Sequence, residues 1–240
     1  MRTPWVRLVL AISLDGRLAP PGGGAAQLGG PCDRRALEMA LAWADGALIG
    51  AGTLRAHRST CLIRDRDLLQ ERSMAGREQQ PIAVVVSRQS EHPGDWLFFQ
   101  QPIHRWLLNP KCSTLSSSLE AHPPLGFERC IRMEGSWAET LQGLATEGLS
   151  RLVLLGGAQL IASLLQEDRV DELQLTLTPR LLAGDHCWLP SPIAELPASL
   201  GAADAWHLQL AEQLGDNELL LRYRRNRLGM SDTSAAMTSS

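Results

Sequence analysis

The chain has no stretch of membrane length, no closely paired cysteines, no strong charge of either sign and no internal repeat. Each absence excludes a class. The first apolar run, residues 5–14 (WVRLVLAISL), is short, carries Arg7 and runs into Asp15-Gly16. It reads as a buried strand and not as a signal peptide or membrane span. Five cysteines stand at 32, 61, 112, 130 and 187, none as C-x-x-C. An odd count at wide spacing argues against a disulfide framework or a structural zinc site, and reduced thiols in a cytosolic protein are the plain expectation. A net charge of −3 over 240 residues gives no reason to expect a nucleic-acid or membrane partner. There is no G-x-G-x-x-G with an acidic residue after it, no P-loop and no G-x-S-x-G, so an ordinary dinucleotide-binding dehydrogenase and a serine hydrolase are both unsupported.

What is present is a strand–helix alternation. Val6, Leu8, Leu10 and Ile12 alternate with an equally apolar Val9 and Ala11, which predicts a central strand buried on both faces. A Gly/Pro-rich loop follows from Pro20 to Gly30. Asp33 is placed as an N-cap for a helix running to Ala44-Asp45, on the spacing of Ala36, Leu37, Ala40, Leu41 and Ala44. Short strands are expected at 47–49, 82–86, 103–108 and 151–155. Residues 55–80 read as a long charged loop with one helical turn at most, and 113–118 as a Ser-rich stretch. Ser136 caps a helix over 137–147. A helix marked by Leu160, Ile161, Leu164 and Leu165 follows Gly156-Gly157. Leu173, Leu175 and Leu177 alternate with polar residues as a half-exposed strand. Strands at 206–210 and 219–223 flank an Asp216-Asn217 hairpin turn, and the end is a polar tail. The sum is an α/β fold with a mostly parallel central sheet, an antiparallel C-terminal edge and flanking helices. One domain over 1–226 is expected, with 227–240 as a disordered tail.

Two strand–turn–helix junctions carry the chemistry. At Gly156-Gly157, and again at Gly50-Ala51-Gly52-Thr53, a strand ends in glycines that let a phosphate approach the backbone, and Thr53 adds a hydroxyl donor. One such junction is more often plain packing. Two in one domain point to a ligand at the strand ends.

Three segments then occur in order: VLAISLDGRLA (9–19), ADGALIGAGTLRA (44–56) and LVLLGGAQLIASLLQEDRVDELQLTLTPRLLAG (152–184). They resemble the signature segments of the riboflavin-pathway pyrimidine reductases, within the dihydrofolate-reductase-like three-layer fold. The likeness spans roughly residues 5–225. It implies an NADPH-dependent reductase that converts the ribosyl chain of 5-amino-6-(5-phosphoribosylamino)uracil to a ribityl chain, working as a cytoplasmic homodimer with no metal. By the same resemblance Gly50, Gly52, Thr53, Gly156, Gly157, Ala158, Gln159 and Leu160 contact NADPH. Ala11, Ser13 and Asp15 fall near the nicotinamide, with Asp15 as the catalytic-site candidate and a cleft organiser more than a proton donor. Ser87 and Arg88 lie toward the adenosine 2′-phosphate, where a guanidinium forks onto phosphate oxygens. Arg64, His57, Cys61 and Leu155 face the substrate.

Several substrate positions depart from the family's pattern. Leu155 replaces a glutamate before the glycines, His57 and Arg58 replace an aspartate pair, Gln27 replaces a tryptophan and Leu41 a basic residue. Loss of polar partners penalises a polar substrate. A cationic His57, or Arg58, is a candidate compensation at the substrate phosphate. The H-x-E and P-C-x-x-C ligands of the deaminase partner domain are absent, so the chain is expected to supply reduction only. Two other readings stay open: a superfamily reductase with a different carbonyl or imine substrate, and a non-catalytic nucleotide-binding protein.

Overall fold

A computed structural model describes residues 3–24, 26–112, 123–190 and 195–227. The expected Ser-rich stretch at 113–118 and the tail from 228 onward lie outside the described residues. The described chain builds a nine-stranded sheet from β1 (Trp5–Ser13), β2 (Gly46–Gly50), β3 (Ile82–Val86), β4 (Arg105–Asn109), β5 (Arg129–Arg132), β6 (Arg151–Leu154), β7 (Glu172–Thr178), β8 (Trp206–Gln213) and β9 (Leu219–Arg225). Their spatial order is β5-β4-β3-β2-β6-β1-β7-β9-β8. Pairings from β5 through β7 are parallel, and β9 runs antiparallel to both β7 and β8. β1 lies inside the sheet and is buried on both sides, as its continuous apolar pattern requires.

Five helices cover the two faces: α1 (Pro31–Trp43), α2 (Ala51–His57), α3 (Arg66–Met74), α4 (Trp137–Thr146) and α5 (Ala158–Gln166). On one face Leu141 and Leu144 of α4 and Ile161 and Leu164 of α5 pack on Leu8, Leu48, Leu152 and Leu154. On the other, Ala40 and Leu41 of α1 and Leu68 of α3 pack on Val9, Ala47 and Val153. Beside them Leu54 of α2 joins Val85, Phe98 and Leu107. Each fully buried leucine in these layers contributes about 1.5–3 kcal/mol. None of the described helices is long and apolar enough to cross a membrane.

Ser136 caps α4 as expected, accepting from the Glu139 amide. Other expectations are corrected. The N-cap of α1 is Gly30 with Pro31 in the first turn, so Asp33 sits inside the helix. The charged 55–80 segment holds the last residues of α2 and all of α3, which Asp65 caps by accepting from the Asp67 and Leu68 amides. β5 went unread because its four residues form an edge with charged, exposed ends. β7 is not half-exposed. Its polar residues Gln174, Thr176 and Thr178 are buried, while its leucines are partly buried against the core. The thiols are not all reduced either. The end of β4 and its parallel neighbour β5 bring Cys112 and Cys130 to a Cα separation of 5.7 Å, and they form a disulfide. Cys32, Cys61 and Cys187 are free.

Candidate functional site

Parallel strands all end at the same edge of a sheet, and helices that follow them start there. Here the ends of β1, β2, β3 and β6 open into a cleft of about 2040 Å³. Ala11, Gly50, Val86 and Leu155 mark those ends among the residues that line it.

The two glycine junctions meet in the cleft. The Gly50 amide donates to the Gly156 carbonyl at 2.7 Å. A Cβ placed on Gly50 would stand 2.9 Å from the Gly157 amide nitrogen, and one on Gly157 would stand 2.9 Å from Thr53 Oγ1. Glycine is therefore required for this approach, independently of any ligand. Gly156 has a φ of +111° and is joined to Gly157 by a cis peptide. α5 starts at Ala158 with no side chain capping it, so its first amides face outward as donors. Bare backbone, the Thr53 hydroxyl and an uncapped helix start together form a cradle suited to a diphosphate.

Cations stand around this cradle. Arg55, Arg64 and Arg88 line the cleft with exposed side chains, and none is in an ion pair among the described residues. Arg34 also lines it but is engaged, with Nε donating to Glu38 at 2.9 Å and a terminal nitrogen to the Leu62 carbonyl. Ser87 is buried at the end of β3 and accepts from the Gln89 amide, which turns the chain so that Arg88 projects outward.

The residues expected at the site separate into two groups. Ala11, Gly50, Gly52, Thr53, His57, Cys61, Arg64, Ser87, Arg88, Leu155, Gly156, Gly157, Ala158, Gln159 and Leu160 all line the one cleft. Ser13 and Asp15 do not. Ser13 is fully buried and donates to Asp15 at 2.5 Å. Asp15 accepts from the Leu182 and Ala183 amides, at 3.1 and 2.7 Å, and so latches the 180–184 loop to the end of β1. The Ser13 hydroxyl, then the Leu182 amide, hold its carboxyl down to about 2. Arg58 also falls outside the lining, as the left-handed C-cap of α2. Partial desolvation lowers the pKa of His57, although its side chain is still largely exposed at the cleft. Burial raises the Cys61 thiol, with the Arg34 guanidinium opposing it, and keeps it protonated.

Among the lining residues that the sequence did not assign to the site are Arg34, Arg55 and Asp33. Arg34 and Arg55 are side chains in an otherwise ordinary helical sequence. Asp33 was assigned a capping role, yet it faces the cleft. Its turn spacing to Leu37 and Leu41 was the available signal, since i, i+4 and i+8 share a helix face.

The chain matches the RibD C-terminal domain family over residues 4–192. It is 25% identical over 194 residues to the 2,5-diamino-6-ribosylamino-4(3H)-pyrimidinone 5′-phosphate reductase of Archaeoglobus fulgidus, covering 75% of this chain and 83% of that one. Its fold superposes with a TM-score of 0.72 on a diaminohydroxyphosphoribosylaminopyrimidine deaminase/5-amino-6-(5-phosphoribosylamino)uracil reductase from Thermotoga maritima, at 17% identity over 93% of this chain and 57% of that one. The match thus spans a little over half of that two-activity protein. Dihydrofolate reductase from Enterococcus faecalis, solved with NADP(H), shares the fold at a TM-score of 0.52 and 13% identity, covering 94% of this chain and 99% of that one.

Proposed function

Because the chain belongs to the RibD C-terminal domain family, we propose that it is an NADPH-dependent reductase of riboflavin biosynthesis, turning the ribosyl chain of 5-amino-6-(5-phosphoribosylamino)uracil into a ribityl chain. The observation that carries this reading is the glycine cradle. Gly50 and Gly157 are held at a contact no side chain permits, beside an uncapped helix start, in a cleft lined by Arg55, Arg64 and Arg88, which have no ion pair among the described residues. A dinucleotide with two linked phosphates is the ligand such a wall suits.

On this reading the backbone of Gly50, Gly52 and residues 156–160, with the Thr53 hydroxyl, holds the cofactor diphosphate. Arg88 takes the 2′-phosphate by charge-assisted hydrogen bonds, and Ser87 keeps its turn in place. Ala11, small and at the end of β1, leaves room for a flat ring. Arg64 meets the substrate phosphate, while His57, Cys61 and Leu155 shape the wall beside it. When bound, the cofactor supplies a hydride to C1 of the opened ribose. The chain's own contribution is orientation and exclusion of water from that carbon. Asp15 acts at a distance, by fixing the loop that closes one side.

Residues 1–226 are taken as the reductase domain, and the resemblance adds a homodimer acting in the cytoplasm. The second reading is the same chemistry on another carbonyl or imine substrate, favoured by apolar Leu155 in the lining. The test is titration with NADPH and NADH, followed by NADPH oxidation with the deaminated and the undeaminated ribosylaminopyrimidine phosphates. Tight NADPH binding with oxidation is expected. Binding without oxidation of either moves the assignment to the second reading, and absence of binding contradicts both.

A further inference from the structure

The segment between α2 and α3 reaches the cleft without being a helix or a strand. Residues 58–65 join His57 to Arg66, and Ser59, Thr60, Cys61 and Arg64 among them line the cleft. Backbone with no ladder of its own must find its partners elsewhere. Here side chains from outside the segment supply them. Gln101 accepts from the Thr60 amide at 2.9 Å and donates to the Thr60 carbonyl at 2.8 Å. Gln80 treats Ile63 in the same way, at 2.9 Å in both directions. Each glutamine thus pairs with one residue as a neighbouring strand would.

The third clamp is of another kind. Glu38 of α1 is 6% exposed, and its Oε2 accepts from the Arg64 and Asp65 amides at 2.7 and 2.9 Å. Its Oε1 accepts from Arg34 Nε at 2.9 Å, and a terminal nitrogen of Arg34 donates to the Leu62 carbonyl at 2.8 Å. One buried carboxylate therefore holds two consecutive amides directly and the Leu62 carbonyl through Arg34. Bonds to an ionised acceptor are stronger than the neutral ones the glutamines make. This firmer grip falls on the residue whose side chain enters the cleft. The Arg64 guanidinium is exposed there with no ion pair among the described residues, so the backbone beneath it sets its aim.

We propose that Glu38 is a positioning residue for phosphate recognition: by gripping the Arg64 and Asp65 amides it sets where the Arg64 guanidinium meets the substrate phosphate. This rests on the reductase reading above and on the place which that reading gives Arg64. Glu38 is not among the residues that line the cleft, and it acts through Arg64. A misplacement of about 1 Å in such a group is enough to cost on the order of 100-fold, so a lost clamp is felt at the ligand.

The experiment compares wild type with Glu38→Leu, Glu38→Gln, Arg64→Gln and the Glu38→Leu/Arg64→Gln double variant. Leucine keeps the volume and removes both acceptors, whereas glutamine keeps one oxygen for the two amides. KM and kcat are read with the ribosylaminopyrimidine phosphate that wild type reduces and with the same compound dephosphorylated, alongside NADPH affinity. Glu38→Leu should raise KM for the phosphorylated compound about tenfold, with kcat within about threefold. KM for the dephosphorylated compound and NADPH affinity should stay within about twofold. Glu38→Gln should recover most of the loss. In Arg64→Gln protein, adding Glu38→Leu should raise KM no further, because the group it positions is gone. If Glu38→Leu does not fold by circular dichroism, Glu38→Asp, one methylene short of the two amides, carries the same comparison, and loss of folding in both overturns the inference. An unchanged KM, an equal increase with and without the phosphate, or an increase that persists in full in Arg64→Gln protein overturns it too and leaves Glu38 a structural anchor. Wild type that reduces neither pyrimidine, or Arg64→Gln with unaltered KM, defeats the underlying assignment and this inference with it. A raised KM in Arg64→Gln beside unaffected Glu38 variants defeats the inference alone.

Discussion

The two walls of the cleft are made of different material. The wall at β2 and β6 is backbone: Gly50 against Gly156 and Gly157, with Thr53 the one polar side chain between them. The wall formed by α1, α2 and the segment leading to α3 is side chains: Asp33, Arg34, Leu37, His57, Cys61 and Arg64. A backbone wall has few ways to change, because any Cβ at Gly50 or Gly157 meets another chain segment. A side-chain wall can change its chemistry while the fold stays put. The departures from the family's pattern noted in the sequence, at His57, Leu155, Gln27 and Leu41, concern side chains and leave the glycines in place. On the proposed function, the comparison teaches that cofactor and substrate recognition would be separable, one written in φ and close approach, the other in charge and hydrogen bonding.

The sharpest way to break the comparison is Gly50→Ala. Its Cβ would meet the Gly157 nitrogen at 2.9 Å and the Gly156 carbonyl oxygen at 3.4 Å, and backbone yields less readily than a side chain. A cost of about 2 kcal/mol is expected, and NADPH affinity measured by fluorescence titration should fall about 30-fold or more. Next is Arg72→Met. Arg72 is 4% exposed and donates to the Ala42, Ala44 and Leu41 carbonyls at the end of α1 and to Glu78. Desolvation lowers its pKa to about 10, where it is still charged at neutral pH. Removing it deprives the Glu78 carbonyl of its Arg72 donor, while Arg77 still reaches the Ala42 and Ala44 carbonyls and the Ala44 amide still reaches Leu41, so stability should drop by about 2 kcal/mol and Tm by about 6 °C in thermal denaturation. The damage belongs to the side-chain wall, and substrate KM should suffer more than NADPH affinity.

Two arginines sharpen the division. Arg88→Gln should weaken NADPH about tenfold and leave NADH unchanged, whereas Arg64→Gln should raise substrate KM about tenfold and leave both nucleotides alone. Steady-state kinetics with each nucleotide separates these outcomes. The smallest effect is expected at Asp15, which belongs to neither wall. Its folded pKa lies near 2, below the ordinary value of 3.8. A depressed carboxyl adds stability above its unfolded pKa and loses it as the pH falls through the folded one. Wild type should therefore lose stability between about pH 4 and pH 2 more steeply than Asp15→Asn, with Tm recorded across that range.

How much of this was legible in the sequence follows the same division. β1, β3, β6 and the helix after Gly156-Gly157 show in the apolar pattern because local spacing and burial agree there. The glycine junctions show because two of them occur in one domain, each between a strand and a helix. α3 was hidden by its charge: only Leu68 and Arg72 of its nine residues are buried, so it carries no apolar stripe, although Asp65 was available as a cap. β7 misled because α1 covers its polar face, with Gln174 donating to the Ala36 carbonyl, and alternation by itself does not say which face is inside. Asp33 was read as a cap because Asp before an apolar run usually is one. Pro31 had already started the helix, which turned Asp33 toward the cleft. The Cys112–Cys130 pair depends on β4 and β5 being neighbours, a tertiary fact that spacing along the chain does not contain.

The account's central claim is that a nicotinamide nucleotide seats on the glycine wall. The most direct test is NADPH binding to wild type and to Gly50→Ala, followed side by side by fluorescence titration. Saturable binding of one NADPH per chain to wild type, weakened about 30-fold or more in folded Gly50→Ala, is the predicted result. No binding to wild type, or equal binding to both proteins, would contradict it.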